Sequence, residues 1–180
     1  MRDTGKRTKA FAFALVLMVS LMLSVGSTAA AELEGKISEM APVGSARMNV
    51  LFWDVYDARL LAPDGHLKSG GPFALELTYL RDLDGAKIAE RSIEEMRKQG
   101  FSDEMTLARW YEWLANLIPD VGEQDQIVGL ADEKGSAQFF FNGDLLGVIE
   151  EPEFTRRFFD IWLGEKSSEP NLRQQLLGEG

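Results

Sequence analysis

Phe73-Ala74-Leu75-Glu76-Leu77-Thr78-Tyr79 and the stretch after it, Leu83 to Gln99, decide the fold class between them. In the first, large apolar residues alternate with Ala74, Glu76 and Thr78, the period of two that belongs to a half-buried strand. Gly70-Gly71-Pro72 marks its start. In the second the period changes: Ala86, Ala89, Ile93 and Met96 share one helical face, charged residues fill the others, and Gly100 is a natural stop. A second helix follows from about Ser102, whose hydroxyl can cap it, with Asp103 and Glu104 well placed against its positive end. Its stripe is Leu107, Trp110, Tyr111, Leu114, Leu117 and Ile118, and Pro119 ends it.

Upstream, Val50 to Leu61 reads as a strand and Pro63-Asp64-Gly65 as the turn behind it. Downstream, Gln126–Ala131 and Ser136–Phe141 are strands in a meander, and Asn142-Gly143 is the strongest short hairpin signal in the chain. Phe139, Phe140 and Phe141 in a row cannot all face one side, so a second layer or a ligand must cover at least one of them. Pro152 opens a third helix carrying Phe154, Phe158, Ile161 and Trp162 and stopped by Gly164; Pro170 to Leu177 makes a short last one. Strands, two helices, strands, then helices predict an α+β domain, an antiparallel sheet with helices gathered mainly on one face.

The first 31 residues carry a different message. Arg2, Lys6, Arg7 and Lys9 precede an uncharged apolar run from Ala10 to Val25 and the small-residue stretch Gly26 to Ala31. That order is expected of a secretory signal cleaved after Ala30 or Ala31. An uncleaved anchor is the alternative, but the run is shorter than the roughly 20 residues a spanning helix needs. With no cysteine there is no acylation site for a lipoprotein. The expected product is a single domain, residues 32–180, exported, and periplasmic in a bacterium with two membranes.

The exported part holds 28 acidic against 15 basic residues, a net charge of −13. Such a surface repels phosphate backbones and anionic lipid heads, so neither nucleic acid nor a membrane is an expected partner. The absence of cysteine removes thiol catalysis, thiolate metal sites and redox exchange. The one histidine, His66, sits in a polar turn, where a solvated side chain is the expected reading rather than a catalytic base. Metal-ligand spacings and phosphate loops are missing, and the adjacent carboxylates Glu94-Glu95 and Glu150-Glu151 point apart. No catalytic residue, metal or cofactor is expected.

Arg47 lies just ahead of Trp53 and Tyr56. If its segment is a strand, its guanidinium can face the helix layer and bind a carboxylate through two parallel hydrogen bonds. The alternative is an exposed or salt-bridged arginine.

Gly44-Ser45-Ala46-Arg47, Leu51 to Leu60 and Ala74 to Leu83 resemble the opening of the chalcone isomerase-like superfamily. Phe154-Thr155-Arg156-Arg157-Phe158-Phe159-Asp160-Ile161-Trp162-Leu163-Gly164 and Pro170-Asn171-Leu172-Arg173 are similar to its ending. The order of these pieces spans nearly all of residues 40–177, and looks most like an exported bacterial branch. The resemblance implies an open-faced β-sandwich with a ligand cleft between sheet and helices. It also implies that an arginine, a tyrosine, a threonine and an asparagine serve the isomerases, and that fatty-acid-binding members keep the arginine for a carboxylate. Arg47 matches that arginine. The tyrosine has no counterpart near Lys87-Ile88-Ala89, the threonine's place falls at Ile161 and the asparagine's near Met96. The expectation is therefore a non-catalytic carrier of a lipophilic acid such as a fatty acid, with Arg47, Tyr56, Ile88, Met96, Ile161 and Trp162 as its contacts. Two alternatives remain: an interaction module whose cleft is filled by Phe140, Trp110 and Trp162, and an intramolecular lyase acting on chalcone-like substrates.

Overall fold

The computed structural model describes residues 26–179. Most of the expected signal, through Val25, lies outside the described residues; Gly26 to Ala31 open a helix, α1 (Gly26–Ser38). Six strands follow in a single antiparallel meander, ordered as in the chain: β1 (Met40–Val50), β2 (Trp53–Pro63), β3 (Phe73–Tyr79), β4 (Gln126–Ala131), β5 (Ala137–Phe141) and β6 (Asp144–Ile149). Between β3 and β4 the chain leaves the sheet for α2 (Gly85–Lys98) and α3 (Glu104–Leu117), and after β6 it adds α4 (Pro152–Leu163) and α5 (Pro170–Leu176). The expected α+β class, an antiparallel sheet under a helical layer, is what is observed.

The stretch Val50 to Leu61 is a correction. It straddles the end of one strand and the start of the next, because the chain reverses at Leu51-Phe52, with Leu51 at φ 56°. No Gly, Asn or Asp marks that turn, so composition hides it. Asp103, rather than Ser102, caps α3 by accepting from the backbone N–H groups of Met105 and Thr106. Asn142-Gly143 forms the turn between β5 and β6, with both residues at positive φ as a two-residue hairpin of that sequence demands.

Strand alternation gives the sheet two different faces. Leu60, Leu75, Leu77 and Phe139 point under α2–α5 and share a core with Met96, Trp110, Phe154 and Phe158. The rings interlock there: Trp110 stacks on Phe101 with centroids 4.8 Å apart, and Phe139 meets Phe158 edge-on at 5.1 Å. On the opposite face Leu61, Ala74, Val128, Leu130 and Phe140 form a second apolar cluster, closed by Leu33 of α1. The phenylalanine run is thus divided, with Phe139 and Phe141 under the main helical layer and Phe140 under α1. α5 packs on β1 so closely that a side chain at Gly44 would collide with the carbonyl of Gln175.

Leu33 is the buried anchor of α1 and is only 6% exposed. Leu33→Ala is expected to lower stability by about 2–3 kcal/mol through the cavity it leaves over Phe140. Chemical denaturation measures this, and an unchanged midpoint would show that α1 contributes no cover to the sheet.

Candidate functional site

The helical layer does not close on the sheet everywhere. Beside the β1–β2 hairpin a cavity of about 450 Å³ lies between them. Its floor is Met48, Tyr56, Leu77, Tyr79 and Ile127, supplied by four neighbouring strands. Its roof is Ile88, Ile118, Phe158, Ile161 and Trp162. The volume falls within the range of roughly 300–1,000 Å³ typical of small-molecule sites, and the lining is aliphatic and aromatic as such sites usually are.

Polar groups meet this hollow at few points. Trp162 Nε1 donates to Tyr56 Oη at 2.9 Å, which locks the indole and the phenol together across the gap between α4 and β2. The rings of Tyr56 and Tyr79 meet edge-on, with centroids 6.0 Å apart. Along α2, Lys87 and Arg91 stand one turn apart on the cavity side, next to Ile88. Arg91 is held at 2.6 Å by Glu95, which also accepts from Lys98 at 3.0 Å and from the Ser168 hydroxyl at 2.7 Å. Among the described residues no carboxylate pairs with the Lys87 ammonium, whereas every oxygen of Glu95 is engaged. Burial alone would push the Glu95 carboxyl up; the Ser168 and Lys98 hydrogen bonds and the charge of Arg91 outweigh it and hold it below the usual carboxylate range.

Of the six contacts expected from sequence, Tyr56, Ile88, Ile161 and Trp162 come together around the cavity. Arg47 and Met96 do not. The β1–β2 register sets Met48 opposite Tyr56 on the cavity side, and so Arg47 opposite Asp57 on the other face. There Arg47 is half exposed and held by Asp57 at 2.6 Å and Asp54 at 2.8 Å, in exposed cross-strand ion pairs outside the cavity lining. Met96 is fully buried on the part of α2 that packs into the core. Of the proposed plugs, Trp110 is in the aromatic core, Phe140 is on the far face, and Trp162 lines the cavity without filling it.

Lys87, Arg91, Glu95 and Tyr79 were not among the expected site residues. The available signal was Lys87 and Arg91 at a spacing of four, beside Ile88. His66 sits in its exposed turn, its Nδ1 2.6 Å from the carbonyl oxygen of Asp64. Among the described residues no cluster of three or more His, Asp or Glu side chains is placed to hold a metal ion, and no helix is long and apolar enough to cross a membrane.

Burial pushes the Tyr56 phenol up to about 12 from an ordinary value of 10.0, and burial pushes Tyr79 in the same direction. A raised folded-state value means that the neutral phenol's contribution to stability is complete below pH 10 and is lost as the pH climbs toward 12. Phenolate absorbance at 295 nm should therefore show a late component near pH 12 that is lost in Tyr56→Phe, with stability falling between pH 10 and 12. Full tyrosine ionisation by pH 11 in the folded protein would contradict this burial.

The chalcone isomerase-like family model matches residues 25–178. Among solved structures, the chain is similar to a fatty-acid binding protein of Arabidopsis thaliana, with a TM-score of 0.59 and 15% sequence identity. That alignment covers 78% of this chain and 87% of the other. A search of curated proteins returns no match to the sequence. A six-stranded meander under a helical layer, with a cavity between the two, and a family match over most of the sequence lead to one assignment: the chain belongs to the chalcone isomerase-like family.

Proposed function

We propose that this protein is a non-catalytic carrier of a lipophilic acid, a fatty acid being the reference ligand. The alkyl chain lies in the cavity between helices and sheet, and the carboxylate stays at the rim beside Lys87 and Arg91. The observation that carries this reading is the cavity itself: about 450 Å³ of mostly apolar lining with cationic side chains on one edge. Each methylene moved from water into it contributes about 0.8 kcal/mol, so a long chain binds firmly without any covalent chemistry. The similarity in fold to a protein described as fatty-acid binding supports the same reading.

A catalytic reading draws less support. General acid–base work needs a group that titrates near the working pH. Burial moves Tyr56 upward, and its hydrogen-bonded partners move Glu95 downward, so both titrate away from neutrality.

The carrier works outside the cytoplasm in this proposal. The basic head, apolar run and small-residue stretch of residues 1–31 support export. Cleavage after Ala30 or Ala31 would leave Leu33 in place, so α1 keeps its anchor on the sheet.

Displacement of a fluorescent fatty acid from the purified protein tests the assignment. Ile161→Trp, which fills the cavity, is expected to weaken binding tenfold or more. Lys87→Ala should weaken a free acid by roughly two- to fivefold, the modest effect of a solvent-screened charge, and leave its methyl ester unchanged. Arg47→Ala should stay within twofold of wild type. A large loss in Arg47→Ala, or no loss in Ile161→Trp, would defeat the assignment.

A further inference from the structure

The hairpin that borders the cavity ends in an unusual way. Val50, Leu51, Phe52 and Trp53 follow one another around the β1–β2 turn and are 49%, 88%, 97% and 62% exposed. Elsewhere among the described residues the large apolar side chains in solvent are scattered singly or in pairs, such as Met105 on α3 and Leu145 with Val148 on β6. Isolated apolar residues at a surface are ordinary; four in a row at the tip of a hairpin are not. The turn is also built against the preferences of the backbone. Leu51 holds φ 56°, a left-handed conformation that Gly or Asn adopts at less cost. A residue chosen for folding would be one of those. Leucine there adds apolar surface to the tip and takes something from stability.

We propose that the Val50–Trp53 tip docks the mouth of the cavity onto a lipid surface of zwitterionic headgroups, where the ligand enters and leaves. The use of the docked state rests on the carrier reading; the docking itself does not. Three features select lipid as the occupant. The tip is convex and narrow, and its four side chains expose on the order of 500 Å², judged from the 150–250 Å² an aromatic side chain can bury. A stable protein interface takes about 800 Å² from each partner, so a second copy or a folded partner would find too little here, whereas a bilayer interface accepts a spike of this size. The composition suits the headgroup level: leucine and phenylalanine at the apex, and tryptophan at its edge with the Arg81 guanidinium 5.0 Å over its ring.

Charge narrows the choice further. No charged residue lies between Val50 and Trp53, and those at the base, Arg47, Asp54 and Arg81, are of both signs. A chain this acidic gains nothing from an anionic bilayer, so the attraction must be apolar and indifferent to salt. Finally, the tip and the cavity are continuous. Val50 is exposed at the tip and also lines the cavity, together with Val55 and Met48 of the same hairpin. An acyl chain leaving the cavity past Val50 reaches the inserted tip without crossing open water.

Co-sedimentation of the signal-free chain with sucrose-loaded phosphatidylcholine vesicles tests the proposal, read against the variant Leu51→Asn/Phe52→Ser. Neither residue lines the cavity, and asparagine suits the positive φ of position 51, so the variant is expected to fold with undiminished thermal stability. Wild type should sediment with the vesicles equally at low and high salt, and the variant's partition coefficient should fall about thirtyfold or more. Wild type remaining in the supernatant, equal partition of the two proteins, or binding that requires anionic lipid and disappears in salt would each overturn the proposal. Binding of a fluorescent fatty acid in vesicle-free buffer separates this from the carrier reading, since the variant should match wild type there within twofold. Tip-dependent sedimentation without fatty-acid binding by either protein would uphold docking and refute the carrier; fatty-acid binding without sedimentation would do the reverse.

Discussion

In the β1–β2 hairpin, Met48 faces Tyr56 and Arg47 faces Asp57 across adjacent rungs of the ladder. Side chains on neighbouring rungs leave the sheet in opposite directions, so this register decides which residues look into the apolar cavity under the helices and which look into solvent. A slip of β1 by one residue against β2 would turn the Arg47 guanidinium under the helices and Met48 outside. With the observed register, the cavity takes its floor from the sheet and its cations from α2, and the charged pairs of the opposite face stay in water with their own partners. The ligand's expected orientation, with alkyl chain inward and carboxylate at the α2 edge, follows from that parity.

The hollow is set against a tightly filled remainder. Phe139, Phe154, Phe158 and Trp110 mesh with ring centroids 5.1 to 6.4 Å apart, the density expected of a protein interior. Where the lining turns from rings to Leu77, Ile88, Ile127 and Ile161 the packing stops short, and about 450 Å³ is left. Interiors seldom leave a void of that size, and an apolar one gains little from water. The Trp162–Tyr56 hydrogen bond spans the boundary between filled and unfilled halves and ties α4 to β2. The exposed apolar tip adjoins the unfilled half and not the filled one.

Much of the fold is legible in the residues because its signals are local. The period of two in β3, the stripe of α3, Asn142-Gly143, and the prolines opening α4 and α5 each act within a few residues of themselves. The exceptions have physical reasons. The turn at Leu51-Phe52 has none of the usual turn chemistry, so a run of apolar residues there reads as a strand. α1 falls in a segment whose small residues read as a cleavage site, yet the run Phe139–Phe141 already required a second cover for at least one ring, and Leu33 supplies it over Phe140. The site was legible in part. Tyr56, Ile161 and Trp162 lie on elements that local patterns mark, Ile88 entered only through the family resemblance, and the face taken by Arg47 depends on a strand parity that no local pattern around it reveals. Of the residues that entered through the family likeness, Ile88 and Ile161 line the cavity and Arg47 stands on the opposite face of the sheet.

A nuclear Overhauser experiment with a ¹³C-labelled long-chain fatty acid bound to the protein tests the central claim most directly. The account predicts contacts from the acyl methylenes to Leu77, Ile88, Ile127 and Ile161, with the carbon next to the carboxylate nearest Lys87. Contacts to the face carrying Arg47 and Arg59, or an acyl chain that shows no contact with the four aliphatic residues, would contradict it.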